Sequence, residues 1–147
     1  MDGHLKFATL GEFTIELNGE PVVGLASRKA DALLAYLAVT RRPHAREHLA
    51  TLLWDDRPLD RSLANLSVVL NSLKKQLAPF LQIDRKTITI DPASNVSVDL
   101  HVLNDAIDAW DPQAERGSKD RTDAVRKLDE ALSAYQGDFL QGFHLRE

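Results

Sequence analysis

Between Leu59 and Pro92 the chain runs LDRSLANLSVVLNSLKKQLAPFLQIDRKTITIDP, and its leucines set the strongest limit on what it can fold into. Leu63, Leu66, Leu70, Leu73 and Leu77 recur at spacings of three and four, which places them on one continuous stripe of a helix. A stripe of that length is stable only when other elements cover it, so this segment is expected to organise a core. Pro79 closes the helix, because proline has no amide to donate and clashes with the preceding turn. Directly afterwards the period changes. Leu81 and Ile83 flank Gln82, and Ile88 and Ile90 alternate with Thr87 and Thr89, the pattern of two half-buried strands. Asp84-Arg85-Lys86 forms the loop between them.

The flanking segments supply the cover. Leu5 to Leu10, Glu12 to Leu17 and Pro21 to Val23 have strand chemistry, with Phe13, Ile15 and Leu17 alternating with Thr14 and Glu16. Asn18-Gly19 suits the type I′ hairpin turn, which needs positive φ at both positions. Ser27 offers an N-cap to a first helix burying Ala30, Leu33, Leu34 and Leu37, and Arg41-Arg42-Pro43 breaks it. A second helix, Arg46 to Trp54, turns Leu49, Leu52 and Leu53 inward, and Asp55-Asp56-Arg57-Pro58 ends it. After the hairpin, NVSVDL is a further short strand. From Leu100 the pattern is helical again: Val102, Leu103, Ala106, Ile107 and Trp110 form one apolar face, and Val125, Leu128, Ala131, Leu132 and Tyr135 another. DPQAERGSKD is the polar loop between them, and the boundary between two domains is expected near Asp99, giving residues 1–99 and 100–147.

Charge narrows the partners. The net charge is −4, but residues 27–99 hold eleven Lys/Arg against eight Asp/Glu, while both flanks are acidic. An anionic partner therefore belongs to the middle of the chain, since phosphate binding rests on Lys and Arg. The absence of cysteine excludes disulfides and thiolate chemistry. No apolar run approaches the ~20 residues of a membrane span, and no signal-peptide pattern opens the chain, so a cytoplasmic protein without membrane contact is expected.

Strand meander, three helices and a terminal hairpin is the layout of an OmpR-type winged helix, here an α+β fold followed by a helical hairpin. The residues carry the likeness further. LASRKADALLAYLAVTRRPHAREHLATLLWDD resembles the N-terminal DNA-binding domain of the Streptomyces antibiotic regulatory proteins. In that family a Ser-Arg-Lys segment, here Ser27-Arg28-Lys29, opens the first helix, and an Arg-Glu-x-Leu segment leading to Leu-Trp, here Arg46 to Trp54, forms the second. Asn65-Leu66 and Leu73-Lys74-Lys75-Gln76-Leu77 match the family's third helix. SVDLHVL and AYQGDFLQGF resemble the start of the bacterial transcriptional activator domain, a tetratricopeptide-like helical array, and the natural protein is expected to continue beyond it. The chain departs from the family at Asp55, where Pro is frequent, at Ala45, where a capping Ser is usual, and at Ser67, where Arg is frequent.

The resemblance implies a bacterial transcriptional regulator whose third helix, Arg61 to Leu77, enters the major groove of double-stranded DNA, with two copies forming a homodimer on repeated sites. Base contacts would come from Asn65, Ser67, Val68, Asn71 and Ser72, since Asn matches adenine and a methyl-bearing side chain matches thymine. Backbone contacts would come from Arg28, Arg46, Arg61, Lys74, Lys75, Arg85 and Lys86, with Lys29, Arg41 and Arg42 also flanking the first helices. No basic residue stands between Ser62 and Leu73, so base reading is expected to be of modest strength. The competing expectation is a protein-interaction module, in which Val68, Val69 and residues 100–147 dock a protein partner. His44-Ala45-Arg46-Glu47-His48 fits the H-x-x-E-H spacing of a zinc protease, but Pro43 sets His44 outside the helix and no third ligand is patterned. No enzyme, metal or cofactor is expected.

Overall fold

The computed structural model describes residues 3–22, 27–110, 117, 119–133, 135, 137, 139 and 140. Strands β1 (Leu5–Ala8), β2 (Thr14–Leu17) and β3 (Glu20–Pro21) form the expected antiparallel meander. Asn18 and Gly19 turn it with φ of 54° and 83°, as the sequence pair predicts. The end of the third predicted strand, Val23, lies outside the described residues. Three helices follow: α1 (Arg28–Thr40), α2 (Arg46–Leu53) and α3 (Leu59–Leu77), with the two-residue strand β4 (His44–Ala45) leading into α2. A short 3-10 turn, Ala78–Phe80, continues from α3 into the wing strands β5 (Leu81–Ile83) and β6 (Thr87–Ile90). Strand β7 (Val96–Val98), helix α4 (Asp99–Asp108) and helix α5 (Lys119–Ser133) complete the order. The result is an α+β winged helix followed by a helical hairpin.

Two sheets clamp the helices. The first has the order β3-β2-β1-β7, and its last strand lies parallel to β1, pairing Leu5 with Val96 and Phe7 with Val98. The second joins β4 to the wing in the order β4-β6-β5. Between them, Leu66, Leu70, Leu73 and Leu77 of α3 pack with Leu33, Leu34 and Leu37 of α1, with Leu49 and Leu53 of α2, and with Phe7 and Ile88 of the sheets. Leu63, at the edge of the stripe, is only half-buried.

Several local expectations change. Ser27 holds the N-cap position with extended backbone, but its hydroxyl makes no capping bond; its carbonyl accepts from the Ala30 amide instead. Leu52 points outward, and Ala50 takes its place in the core. In α4 the buried side is Asp99, His101 and Ala106, while Val102 and Ile107 are exposed. Hydrogen bonding accounts for the two polar positions turned inward: His101 Nε2 bonds the Val39 carbonyl of α1 at 2.9 Å and the Asp99 carboxyl bonds the exit of β1, while Ala106 keeps its expected buried place.

Asp99 sits at the junction of the winged part and the hairpin and is buried. Its carboxyl accepts from the Thr9 amide at 2.8 and 2.9 Å, from the Thr9 hydroxyl at 2.7 Å, from the Leu10 amide at 2.9 Å and from the Leu100 amide at 2.8 Å. One side chain thus satisfies donors of β1's exit and of the first turn of α4, groups that burial would otherwise leave costly. Leu10 also pairs with Phe139 beyond α5, and the Leu140 amide donates to the Thr9 carbonyl at 2.7 Å.

Candidate nucleic-acid interface

With its leucines buried, α3 turns the opposite side to solvent. Arg61, Ala64, Ser67, Val68, Asn71, Lys74 and Lys75 are all exposed, while Asn65 and Ser72 are half-buried at the flank. Val69 is buried in the core, which removes it from the protein-docking surface expected for it; only Val68 of that pair is available. Lys74 and Lys75 occupy the last turn, where the carbonyl end of the helix dipole favours cations.

The wing is fastened beside α3 by α2. Ala45 supplies no side-chain cap, yet the first amide of α2 is not orphaned: Arg46 N donates to the Lys86 carbonyl at 2.8 Å, extending the β4–β6 ladder. A wing carbonyl thus satisfies the first amide of the helix, although no side chain caps the next two. The Arg46 guanidinium also reaches the wing, donating from Nε to the Asp84 carbonyl at 2.8 Å. Part of its donor capacity therefore supports the hairpin.

Asp84 builds the turn itself. Its carboxyl accepts from the amides of Lys86 at 2.8 Å and Thr87 at 2.7 Å and from the Thr87 hydroxyl at 3.0 Å. The Thr87 amide, then the Lys86 amide and the Thr87 hydroxyl, hold this carboxyl below the usual aspartate range. Folding the acid under the turn leaves Arg85 and Lys86 exposed at the tip. Arg46, Ser67, Arg85 and Lys86 then line one open cleft of about 510 Å³ with Ala45, Glu47 and Leu63. Four of the twelve anticipated contact residues converge there, and Asn71, Lys74 and Lys75 continue along the same helix.

Other anticipated residues lie apart from this cleft. Arg28 opens α1 and is exposed. Lys29 is occupied: its ammonium donates to the Leu53 carbonyl at the end of α2 and lies 5.8 Å from the Trp54 ring centroid. Arg41 caps α1 in a left-handed conformation, φ 53°, and its amide bonds the Leu37 carbonyl. The histidine pattern resolves into packing. His44 lies in β4, buried, with Nε2 2.7 Å from the Thr40 hydroxyl and its ring 4.7 Å from Tyr36. Burial, then Arg42 and His48, push the His44 pKa down.

Sequence reasoning missed the turn-building roles of Asp84 and Thr87 and the outward-facing Ala64. An aspartate opening a tight loop is a recognised turn signal and would have found the first. Ala64 carries no chemical signal, and only its place opposite the leucine stripe marks it.

In a structural comparison, EmbR of Mycobacterium tuberculosis, solved in complex with a low affinity phosphopeptide, matches with a TM-score of 0.67 at 22% identity. The match covers 97% of this chain and 38% of that one, so the chain spans well under half of the solved protein. At this identity the likeness shows the fold, a winged helix with its helical extension. No family model and no curated protein matches the chain.

Proposed function

We propose that this chain is the DNA-binding part of a bacterial transcriptional regulator, with α3 in the major groove and the β5–β6 wing on the sugar-phosphate backbone. The supporting observation is the shared cleft, in which Ser67, at the edge of the exposed side of α3, and the cationic wing tip face the same open space. A duplex seated there meets Arg85 and Lys86 on one side and Lys74 and Lys75 on the other, while Ser67, Val68 and Asn71 face base edges. Asn65 and Ser72 serve the flank of the contact. Arg46 contributes by holding the wing as well as by its charge, and Arg28 and Arg61 reach outer phosphates. With few cations at the centre, one copy binds modestly and two copies on repeated sites bind together. The protein works in the cytoplasm, without catalysis.

Binding of the intact chain to random and selected duplexes across a salt series tests this reading. Specific binding is expected to fall steeply with salt, with a slope near −0.9 per neutralised phosphate. Lys74→Ala with Lys75→Ala should flatten that slope by about one to two. No binding above the nonspecific level at low salt rejects the reading.

A second reading has its own support in the hairpin. Val102, Ile107, Val125, Leu132 and Tyr135 are exposed there, an apolar surface suited to a protein partner. EmbR was solved with a phosphopeptide. In this reading the winged fold serves protein interaction and the salt series shows no specific site.

A further inference from the structure

The centre of the exposed side of α3 is unusual in what it lacks. Ala64, Val68 and Asn71 follow one another at i, i+4 and i+7, one above the next and opposite the buried leucines, and Lys75 continues the row. Val68 is 65% exposed, more than any other large apolar side chain among the described residues. A valine in that position gains nothing from the fold, because its methyls remain in water. Lys75 ends the row at its C-terminal end, Lys74 stands beside it, and Arg85 and Lys86 stand at the wing tip, so the stretch from Ala64 to Asn71 carries no charge.

Resting on the DNA reading above, we infer that this row selects A·T base pairs, recognising thymine by its 5-methyl group through Ala64 and Val68 and adenine through Asn71. The chemistry of the groove assigns the pairing. Guanine offers two acceptors best met by an Arg or Lys fork, and cytosine offers an amino donor best met by a carboxylate. From Ala64 to Asn71 the helix presents neither. Adenine's adjacent acceptor and donor fit a carboxamide, which Asn71 supplies, and the thymine methyl is the only apolar group on the major-groove floor. Covering it with Val68 removes apolar surface on both sides from water. Ser67, beside the row, donates or accepts and so adapts to either strand. Phosphate charges meet the flanking cations, which position the helix without carrying sequence information.

Thymine can be stripped of its methyl without altering its hydrogen bonds, and this makes the inference testable. Sites are selected from a random duplex pool with the intact chain, and each thymidine is then replaced by deoxyuridine. Replacement at one or two A·T steps is expected to weaken binding about fourfold per methyl. Val68→Ala should weaken the parent site similarly and make those same steps indifferent to the replacement, a non-additivity that marks direct contact. Its circular dichroism and urea midpoint establish that the variant is folded. Selected sites rich in G·C at their centre, or specific binding indifferent to deoxyuridine, overturn the inference and leave the DNA reading standing. Salt-dependent binding with no enriched site also overturns it. Absence of binding at low salt removes both.

Discussion

Helices α3 and α5 carry apolar residues at similar helical spacing, yet their fates differ. Leu66, Leu70, Leu73 and Leu77 of α3 are sealed between α1, α2 and the two sheets, whereas Val125 and Leu132 of α5 stay about half exposed. On α5 only Ala131 is buried among the described side chains. The spacing states which residues share a face; the number of elements that can reach that face decides whether it is covered. A winged helix surrounds its third helix on three sides, and a hairpin of two helices covers only the strip where they touch.

The largest expected effect tests that contrast directly. Leu73→Ala should cost about 3 kcal/mol, the lost transfer energy plus the cavity left in a site that cannot collapse. Leu132→Ala should cost less than about 0.5 kcal/mol. Urea unfolding of both variants measures the difference, and equal losses would break the comparison.

Next in size is the junction between the two regions. Asp99→Asn replaces an oxygen acceptor with a donor facing the Thr9 and Leu10 amides, at a cost of about 2 kcal/mol. Amide exchange at Thr9 and Leu10 should quicken together with that of Leu100. If only Leu100 responds, the carboxyl caps α4 without joining the regions.

The smallest effect sharpens the picture of the winged part. Because the folded-state pKa of Asp84 is depressed, its contribution to the wing turn is complete above the ordinary aspartate pKa of about 4. It is lost as pH falls through the lower folded value. Exchange of the Lys86 and Thr87 amides should therefore be indifferent to Asp84 titration from pH 7 to 5, after correction for intrinsic rates, and should rise below pH 4. A rise near pH 6 would point instead to His44, whose lowered pKa makes protonation costly as pH drops below its ordinary value of about 6.5.

Most elements were legible because each rests on local chemistry. The leucine stripe predicted α3, Asn18-Gly19 predicted a positive-φ turn, and alternating isoleucines predicted the wing. The candidate interface was legible in part. Lys74, Lys75, Arg85 and Lys86 are where chain order suggested, at a helix end and a loop tip. Arg46 and Lys29 were less so, because their partners lie 38 and 24 residues away. No local pattern announces that an arginine will brace a wing or that a lysine will cap a neighbouring helix.

The amino-acid order by itself determined which face of each helix is apolar, where the turns fall, and that the third helix lacks cations through its middle. Those properties follow from spacing and side-chain chemistry within a few residues. Only the tertiary structure decided that β7 lies parallel to β1, that Asp99 ties the two regions, and that His101 is buried while Val102 is not. Each of these depends on contacts across dozens of residues, where burial and hydrogen-bond satisfaction are settled jointly by both partners. The opening leucines of α3 belong to the first kind; the valine standing exposed behind them acquired its meaning from the second.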